Sequence, residues 1–304
     1  MNDPLLSIGI PTYNRADCLN KCLESIVSQF ADPEVSGRVE IVISDNDSSD
    51  NTFALVQEFQ KKYPNIFYKK NPSNLGVDKN ILQVVEMSRG RFVWLIGDDD
   101  ALFPDAIKYM LQEIQKQKFN YCIVNFWGYD NKLEHPALKY PNQGILKDEF
   151  FNELADCVRK FEHNADLVGF FCGLSVQIFN RSLWQSLPDK NNFIGTNAMH
   201  LYVLMTVMQN QSFALLAKPL VKARSSNIRW DSFEGLGSAK KRAESTFEVL
   251  LWILDKYHIP YSKMVIKYYY YSSIVKNFIV SFIKKNILKS QKSRDIIKKM
   301  LGKL

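Results

Sequence analysis

Five short apolar runs in the first 125 residues, LLSIGI, VEIVIS, IFYKK, FVWLI and YCIVNF, take turns with amphipathic stretches at 17–30, 51–63, 77–87 and 105–118. A strand period that repeatedly gives way to a helical one implies parallel neighbours, because each run rejoins the sheet only after a helix has crossed over it. The pattern predicts an α/β fold with a mostly parallel, Rossmann-like sheet flanked by helices. In such sheets ligands sit beyond the carboxyl ends of the strands. Three of the runs end in polar residues: Pro11 to Arg15 (PTYNR), Asp45 to Asp50 (DNDSSD) and the triplet Asp98, Asp99 and Asp100. Three polar loops should therefore meet on one rim.

The triplet is the most informative of these. Neighbouring carboxylates about 4 Å apart repel by roughly 1 kcal/mol even with water-like screening. A cation relieves the repulsion, and hard oxygen ligands suit Mg²⁺ or Mn²⁺, which take one or two carboxylates and leave room for phosphates. The other reading is a solvated acidic turn opening the helix after Pro104. Past residue 128 the pattern is less regular. A helix is expected over 147–161, a strand at GLSVQIF, an apolar helix over 197–208 and a strand SFALLA ending at Pro219. Residues 223–238 read as a loop, and the chain from Ala239 reads as helical.

Composition excludes several classes. A hydrophobic content of 46% and a charged content of 23% are ordinary globular values, unlike those of a disordered chain or a coiled coil. Five scattered cysteines without a C-x-x-C pair indicate neither a disulfide framework nor a zinc site, and suggest a reducing compartment. The amino-terminal residues MNDPLLSIGIPTYNR lack the pattern of a signal peptide, and no apolar run approaches the roughly 18 to 20 residues of a membrane span. A cytoplasmic protein is expected. The net charge of +7 is unevenly distributed: residues 263–304 carry +10, which leaves −3 for residues 1–262. A basic tail on a mildly acidic body suggests an anionic partner for the tail.

No G-x-G-x-x-G follows the first strand and no G-x-x-x-x-G-K-[ST] occurs, so phosphates must be held in another way. A first strand ending in PTYNR, a second ending in SDNDSSDNT, then NLG and a strand running into DDD closely resemble family 2 of the glycosyltransferases, with the GT-A fold. The resemblance implies transfer from a nucleotide diphosphate sugar, with inversion at the anomeric carbon, assisted by Mn²⁺ or Mg²⁺. Residues 1–238 would be the catalytic domain, with 1–125 as the nucleotide-sugar half and 126–238 as the acceptor half. Residues 239–304 would be a basic helical extension.

By motif position Pro11, Thr12 and Tyr13 would line the nucleoside pocket, with Arg15 near the phosphates. Asp45 and Asn46 stand where the family has two adjacent acids. An amide can accept from uracil or thymine or donate to cytosine, so Asn46 leaves the base undecided. A helix cap by Asp50 or Asn51 is the structural alternative for this loop. Asn74, Gly76, Lys79 and Asn80 match the region that approaches the ribose and diphosphate, although Gly76 could simply permit a turn. The metal-ligand position falls on Asp99. Asp98 would lie near the ribose or behind the metal, and Gly97 stands where many relatives have the first Asp of D-x-D.

An inverting transfer needs a base opposite the leaving group. Relatives supply an Asp from a Glu-Asp pair some twenty residues before P-L-V-x-x-R. Here that stretch is Pro219 to Arg224, and the interval leads back to Met199-His200. His200 therefore takes the place of the base, a metal ligand or a packed histidine being the other readings, with Asp166, Asp231 and Glu234 in reserve. This variant pattern is similar to abequosyltransferase-like members, which build bacterial surface polysaccharides such as O-antigen or capsule. Arg224 and Arg229 would neutralise the departing diphosphate or merely serve solubility.

A saccharide or polyprenyl-linked acceptor would make docking of residues 263–304 on an anionic membrane surface useful, and the enzyme would then be peripheral on the inner face of the cell membrane. A bundle packed on the catalytic domain or a dimer interface would account for the same residues. A nucleic-acid partner is not expected. The competing functions are a nucleotide-sugar or carbohydrate binding module without transferase activity, and a sugar nucleotidyltransferase, which would need more than the single Arg of PTYNR.

Overall fold

A computed structural model describes residues 3–136, 145–160 and 173–224, together with Trp252 and Lys256. Strands β1 (Leu6–Thr12), β2 (Val39–Asp45), β3 (Ile66–Lys70) and β4 (Phe92–Leu95) alternate with helices α1 (Ala16–Val27), α2 (Pro33–Ser36), α3 (Thr52–Lys62) and α4 (Val77–Met87). Then come β5 (Ala101–Leu102), α5 (Ala106–Gln115), β6 (Tyr121–Tyr129), β7 (Glu149–Phe151), α6 (Leu154–Lys160), β8 (Gln177–Asn180), α7 (Arg181–Gln185), α8 (Met199–Val207) and β9 (Phe213–Arg224). The sheet order is β3-β2-β1-β4-β8-β6-β9-β5, with β7 paired to β9. β1 runs parallel to β2 and β4, and β2 runs parallel to β3, as the alternation of periods requires. Beyond β4 the sheet is mixed: β8 is antiparallel to both neighbours, and β6 and β9 are parallel.

Both halves share one hydrophobic core, which runs without a break from Leu6 to Val221. α4 seats on β1 closely enough that a Cβ on Gly9 would lie 2.4 Å from Val84 Cγ1. Glycine is what permits that approach. α8 is apolar on every side and is correspondingly buried, at Met199, Leu201, Val203, Leu204 and Met205.

Three local expectations are corrected. The aspartates do not open a helix: Ala101 and Leu102 form β5 against β9, and α5 starts at Ala106 after Asp105 in the left-handed region at φ 60°. The segment expected to be one helix over 147–161 first pairs as β7 with β9, seating Phe151 beside Phe213, and turns helical only at Leu154. β9 does not stop at Pro219 but runs to Arg224. The register slips where Asn125 meets Pro219, and Asn125 Nδ2 donates to the carbonyl of Ala217 at 2.9 Å, so the ladder asks no N–H of the proline there. The helical extension expected over 239–304 lies outside the described residues, save that Trp252 meets Tyr202 of α8 edge to face at 4.8 Å.

Candidate active site

The parallel strands bring the first and third polar loops side by side. Thr12 Oγ1 donates to one oxygen of Asp98 at 2.8 Å, and Arg15 Nη1 donates to the other at 3.0 Å. The same Arg15 nitrogen is 3.4 Å from Asp99 Oδ2. Arg15, Asp98 and Asp99 are all buried. Asp100 accepts from Ser175 Oγ and from the backbone N–H of Arg224, while Arg224 Nε donates to the carbonyl of Asp99 at 2.8 Å. Arg15 thus braces the carboxylates of Asp98 and Asp99, while Arg224 holds that of Asp100 through its backbone N–H and the Asp99 main chain through its guanidinium. Burial, only partly offset by Arg15, pushes Asp98 up to about 6, and burial followed by repulsion from Asp99 pushes Asp100 up to about 7. The raised values reflect first the cost of burying charge and only second the repulsion among the three aspartates.

The second loop is laced to the first. Asn14, at φ 50°, donates its backbone N–H to Ser48 Oγ and accepts from the N–H of Ser49. Asp50 accepts from Ala16 at the start of α1 and from Thr52 at the start of α3, so it does the capping, while Asn51 makes no side-chain cap. Asp45 is fully buried and accepts from Ser48 N–H and from the Tyr68 hydroxyl. Burial and this bond raise the Tyr68 phenol.

Asn46 has most of its amide committed. Its oxygen accepts from Leu75 N–H at 2.8 Å, and its Nδ2 donates to Asn74 Oδ1 at 2.7 Å, which in turn accepts from Gly76 N–H. Gly76 sits at φ 83°, so the turn does require glycine. Asn80 is buried, accepts from Ser44 and Asn71, and donates to the carbonyl of Thr12. The structure therefore joins Thr12, Arg15, Asp45, Asn46, Asn74, Asp98 and Asp99 in one hydrogen-bonded rim, with Pro11 and Tyr13 half-buried along it. Lys79 is exposed on the outer side of α4.

His200 is buried, and among the described residues neither ring nitrogen has a hydrogen-bond partner. Burial alone lowers it to about 4. Its helix is tied to the rim through Asp78, whose carboxylate accepts the backbone N–H of Gly195, Asn197 and Met199. Asp78 lies two positions before Asn80 on α4. Asp166, Arg229, Asp231 and Glu234 lie outside the described residues.

Sequence reasoning missed Ser175 and Asp78. Ser175 also accepts from Gly97 N–H at 2.8 Å, and its carbonyl receives Trp94 Nε1. It therefore holds the strand end and the triplet together. A lone Ser in a loop, or an Asp in the first turn of a helix, where acids are common anyway, carries no signal that could have marked either residue. Gly97 gains a reason: a Cβ there would lie 2.9 Å from Asp99 Oδ1.

The described residues contain no group of three or more His, Cys, Asp or Glu side chains able to cage a metal. What they fit is a single carboxylate attachment at Asp99, beside the carboxylates of Asp98 and Asp100, with the remaining ligands supplied by a phosphate-bearing substrate.

The profile described as Glycosyl transferase family 2 matches residues 7–183. The abequosyltransferase RfbV of Salmonella typhimurium is 32% identical over 245 residues, which cover 78% of this chain and 71% of that protein. A GalNAc(5)-diNAcBac-PP-undecaprenol beta-1,3-glucosyltransferase of Campylobacter jejuni is 28% identical over 200 residues, covering 64% of this chain and 58% of that protein. Among solved structures, S. aureus TarS 1–349 matches with a TM-score of 0.60 at 15% identity, over 98% of this chain and 79% of that one. The mannosyltransferase PcManGT from Pyrobaculum calidifontis, in complex with GDP-Man and Mn²⁺, matches with a TM-score of 0.57 at 13% identity, over 99% and 81%. These structural matches are matches of fold.

Proposed function

This chain belongs to glycosyl transferase family 2 and is a glycosyltransferase of the GT-A fold; from that premise we propose that it moves a sugar from a nucleoside diphosphate sugar to a saccharide or polyprenyl-linked acceptor, with inversion, in the assembly of a bacterial surface polysaccharide. The observation that carries the reading is the convergence of Thr12, Arg15 and the triplet Asp98–Asp100 at the carboxyl ends of β1 and β4. An abequosyltransferase and an undecaprenol-linked glucosyltransferase among the relatives support the polysaccharide assignment. Structures of the same fold hold UDP-GlcNAc or GDP-Man, which supports a nucleotide-sugar donor.

In this reading Pro11, Thr12, Tyr13 and Asp45 face the nucleoside, and the turn at Asn74 approaches the diphosphate. Asp99 would hold Mn²⁺ or Mg²⁺, which would supply Lewis-acid stabilisation of the departing diphosphate. Asp98 fixes Arg15 and Thr12 in place, and Arg224 adds positive charge from the other side of the triplet. His200 is the candidate base. Burial keeps the imidazole neutral near pH 7, and it would take a hydroxyl proton well only if a polar acceptor in contact with it raised its proton affinity. That neither nitrogen has a hydrogen-bond partner among the described residues is unusual for a histidine that only packs.

No helix among the described residues is long and apolar enough to cross a membrane. Docking of residues 263–304 on anionic lipid remains part of the proposal, tested by liposome flotation with and without them. The function is tested by thermal shift with UDP-, GDP-, CDP- and dTDP-sugars, each with and without Mn²⁺, followed by assay of nucleoside diphosphate release with acceptor present. One donor should stabilise the protein by mass action, more strongly with Mn²⁺ and much less in Asp99→Asn. Donor binding without any release would leave a binding module, and full turnover by His200→Ala would remove the base.

A further inference from the structure

Four arginines gather at the end of the sheet opposite the rim. The segments leading into β1, β2 and β4, with the turn between β8 and α7, border a half-open cavity of about 790 Å³ whose lining includes Arg38, Arg89, Arg91 and Arg181. That volume is within the range of small-molecule pockets, about 300 to 1,000 Å³. β1 separates it from the Asp98–Asp100 rim by 7 residues, or about 20 Å of extended chain. One carboxylate lines it, that of Asp3. Arg89 is matched from behind by the buried Glu40 at 2.8 Å, and Arg38 by Glu34 at 3.3 Å. Arg91 and Arg181 have no carboxylate within ion-pair distance among the described residues.

Arg181 is held in place all the same. Its Nε donates to the carbonyl of Gly90 at 2.9 Å and its Nη2 to that of Arg89 at 3.4 Å, which fixes a guanidinium against the very loop that carries Arg91. Like charges held at one cavity repel, and an anion with several oxygens relieves that, best through the two-pronged geometry that guanidinium offers to phosphate.

We propose that this arginine-lined cavity at the amino ends of β1, β2 and β4 is a binding site for a phosphate-bearing anion, separate from the sugar-transfer site. The phosphate group is either free, as in a diphosphate, or the headgroup of a membrane phosphomonoester lipid. Inorganic pyrophosphate is titrated calorimetrically into the full chain in EDTA, which keeps divalent ions off Asp99. In parallel, vesicles of phosphatidylcholine with and without phosphatidic acid are tested by flotation. The variants are Arg91→Glu, at an exposed position where refolding problems are least expected, Arg91→Lys, and Asp99→Asn as the control for the opposite rim.

A charge-assisted contact in a cleft is worth about 1.5 to 3 kcal/mol, so Arg91→Glu should weaken uptake about tenfold or more. Arg91→Lys should weaken it less, and Asp99→Asn should leave it unchanged. Loss of either uptake in Arg91→Glu supports the site, and the arm that loses it identifies the source of the phosphate. Uptake of both probes unaltered by Arg91→Glu, or of neither by the wild type, overturns it.

Discussion

Asp78, in the first turn of α4, receives the backbone N–H of Met199 at 3.3 Å across 121 positions of sequence. The same carboxylate holds Gly195 and Asn197, and so it aligns the start of α8 with the nucleotide half of the sheet. Burial raises its pKa against the pull of these bonds, so the carboxylate is kept there at some cost.

Removing it should loosen the segment that leads into His200. Asp78→Ala leaves three backbone N–H groups without their acceptor, and at about 1 to 3 kcal/mol for each that water cannot reach, a loss of about 2 to 4 kcal/mol is expected. Asp78→Asn retains one acceptor oxygen and should lose less. Urea unfolding measures both. An Ala variant as stable as the wild type would show that other contacts hold residues 195–199.

The pair Arg15 and Asp98 is buried on both sides, with side chains 5% and 6% exposed. Breaking such a pair by removing one partner costs about 3 to 5 kcal/mol, because the other charge is left uncompensated. Arg15→Met should therefore be severe, and more so because Asp99 also loses its neighbour. Adding Asp98→Asn should recover part of the loss. A double-mutant cycle reads this directly, and strictly additive losses would argue against the coupling.

Gly97→Ala tests the seat of Asp99. The new Cβ would meet Asp99 Oδ1 at 2.9 Å and Ser175 Oγ at 3.4 Å, so the carboxylate must shift. Stability should fall by no more than about 1 to 3 kcal/mol, an overpacking cost. Mn²⁺-assisted donor binding should fall about tenfold, which corresponds to about 1.4 kcal/mol. Unchanged Mn²⁺ dependence in calorimetry would detach Asp99 from the metal.

His200 predicts a pH dependence of stability. Its folded value is lowered to about 4 from an ordinary 6.5, so between these limits the unfolded chain binds more protons than the folded one. Its contribution is present in full above about pH 6.5 and is lost as pH falls towards 4, with a slope of up to about 1.4 kcal/mol per pH unit. His200→Leu should flatten that slope in denaturation curves taken between pH 7 and 5, a range inside this window. An identical slope in the variant would place the dependence elsewhere.

Much of the nucleotide half was legible because its signal is local. The amphipathic run 77–87 is α4 to the residue, and the parallel neighbours of β1 follow from the alternation that precedes them. β5 and β7 were not legible. Each is only two or three residues long and exists as a strand because β9 offers it an edge. Pro219 was read as a terminus, whereas a bulge and the Asn125 side chain let the strand pass through it.

The site divides in the same way. Its rim was marked in the sequence by polar residues at three strand ends, and Asp98, Asp99, Thr12 and Arg15 do meet there. That Arg15 faces Asp98, that Asn46 is committed to the turn at Asn74, and that Ser175 and Asp78 take part at all depends on strand order and loop path.

The sequence by itself determined where β1 to β4, β6, α1 and α3 to α5 lie and that the polar strand ends crowd acids together, because periods of two and 3.6 residues are properties of neighbouring positions. Only the tertiary structure decided which cation or N–H meets Asp78, Asp98 and Asp100, because those partners are 83 to 124 residues apart and are brought together by sheet order and core packing, which no local pattern encodes.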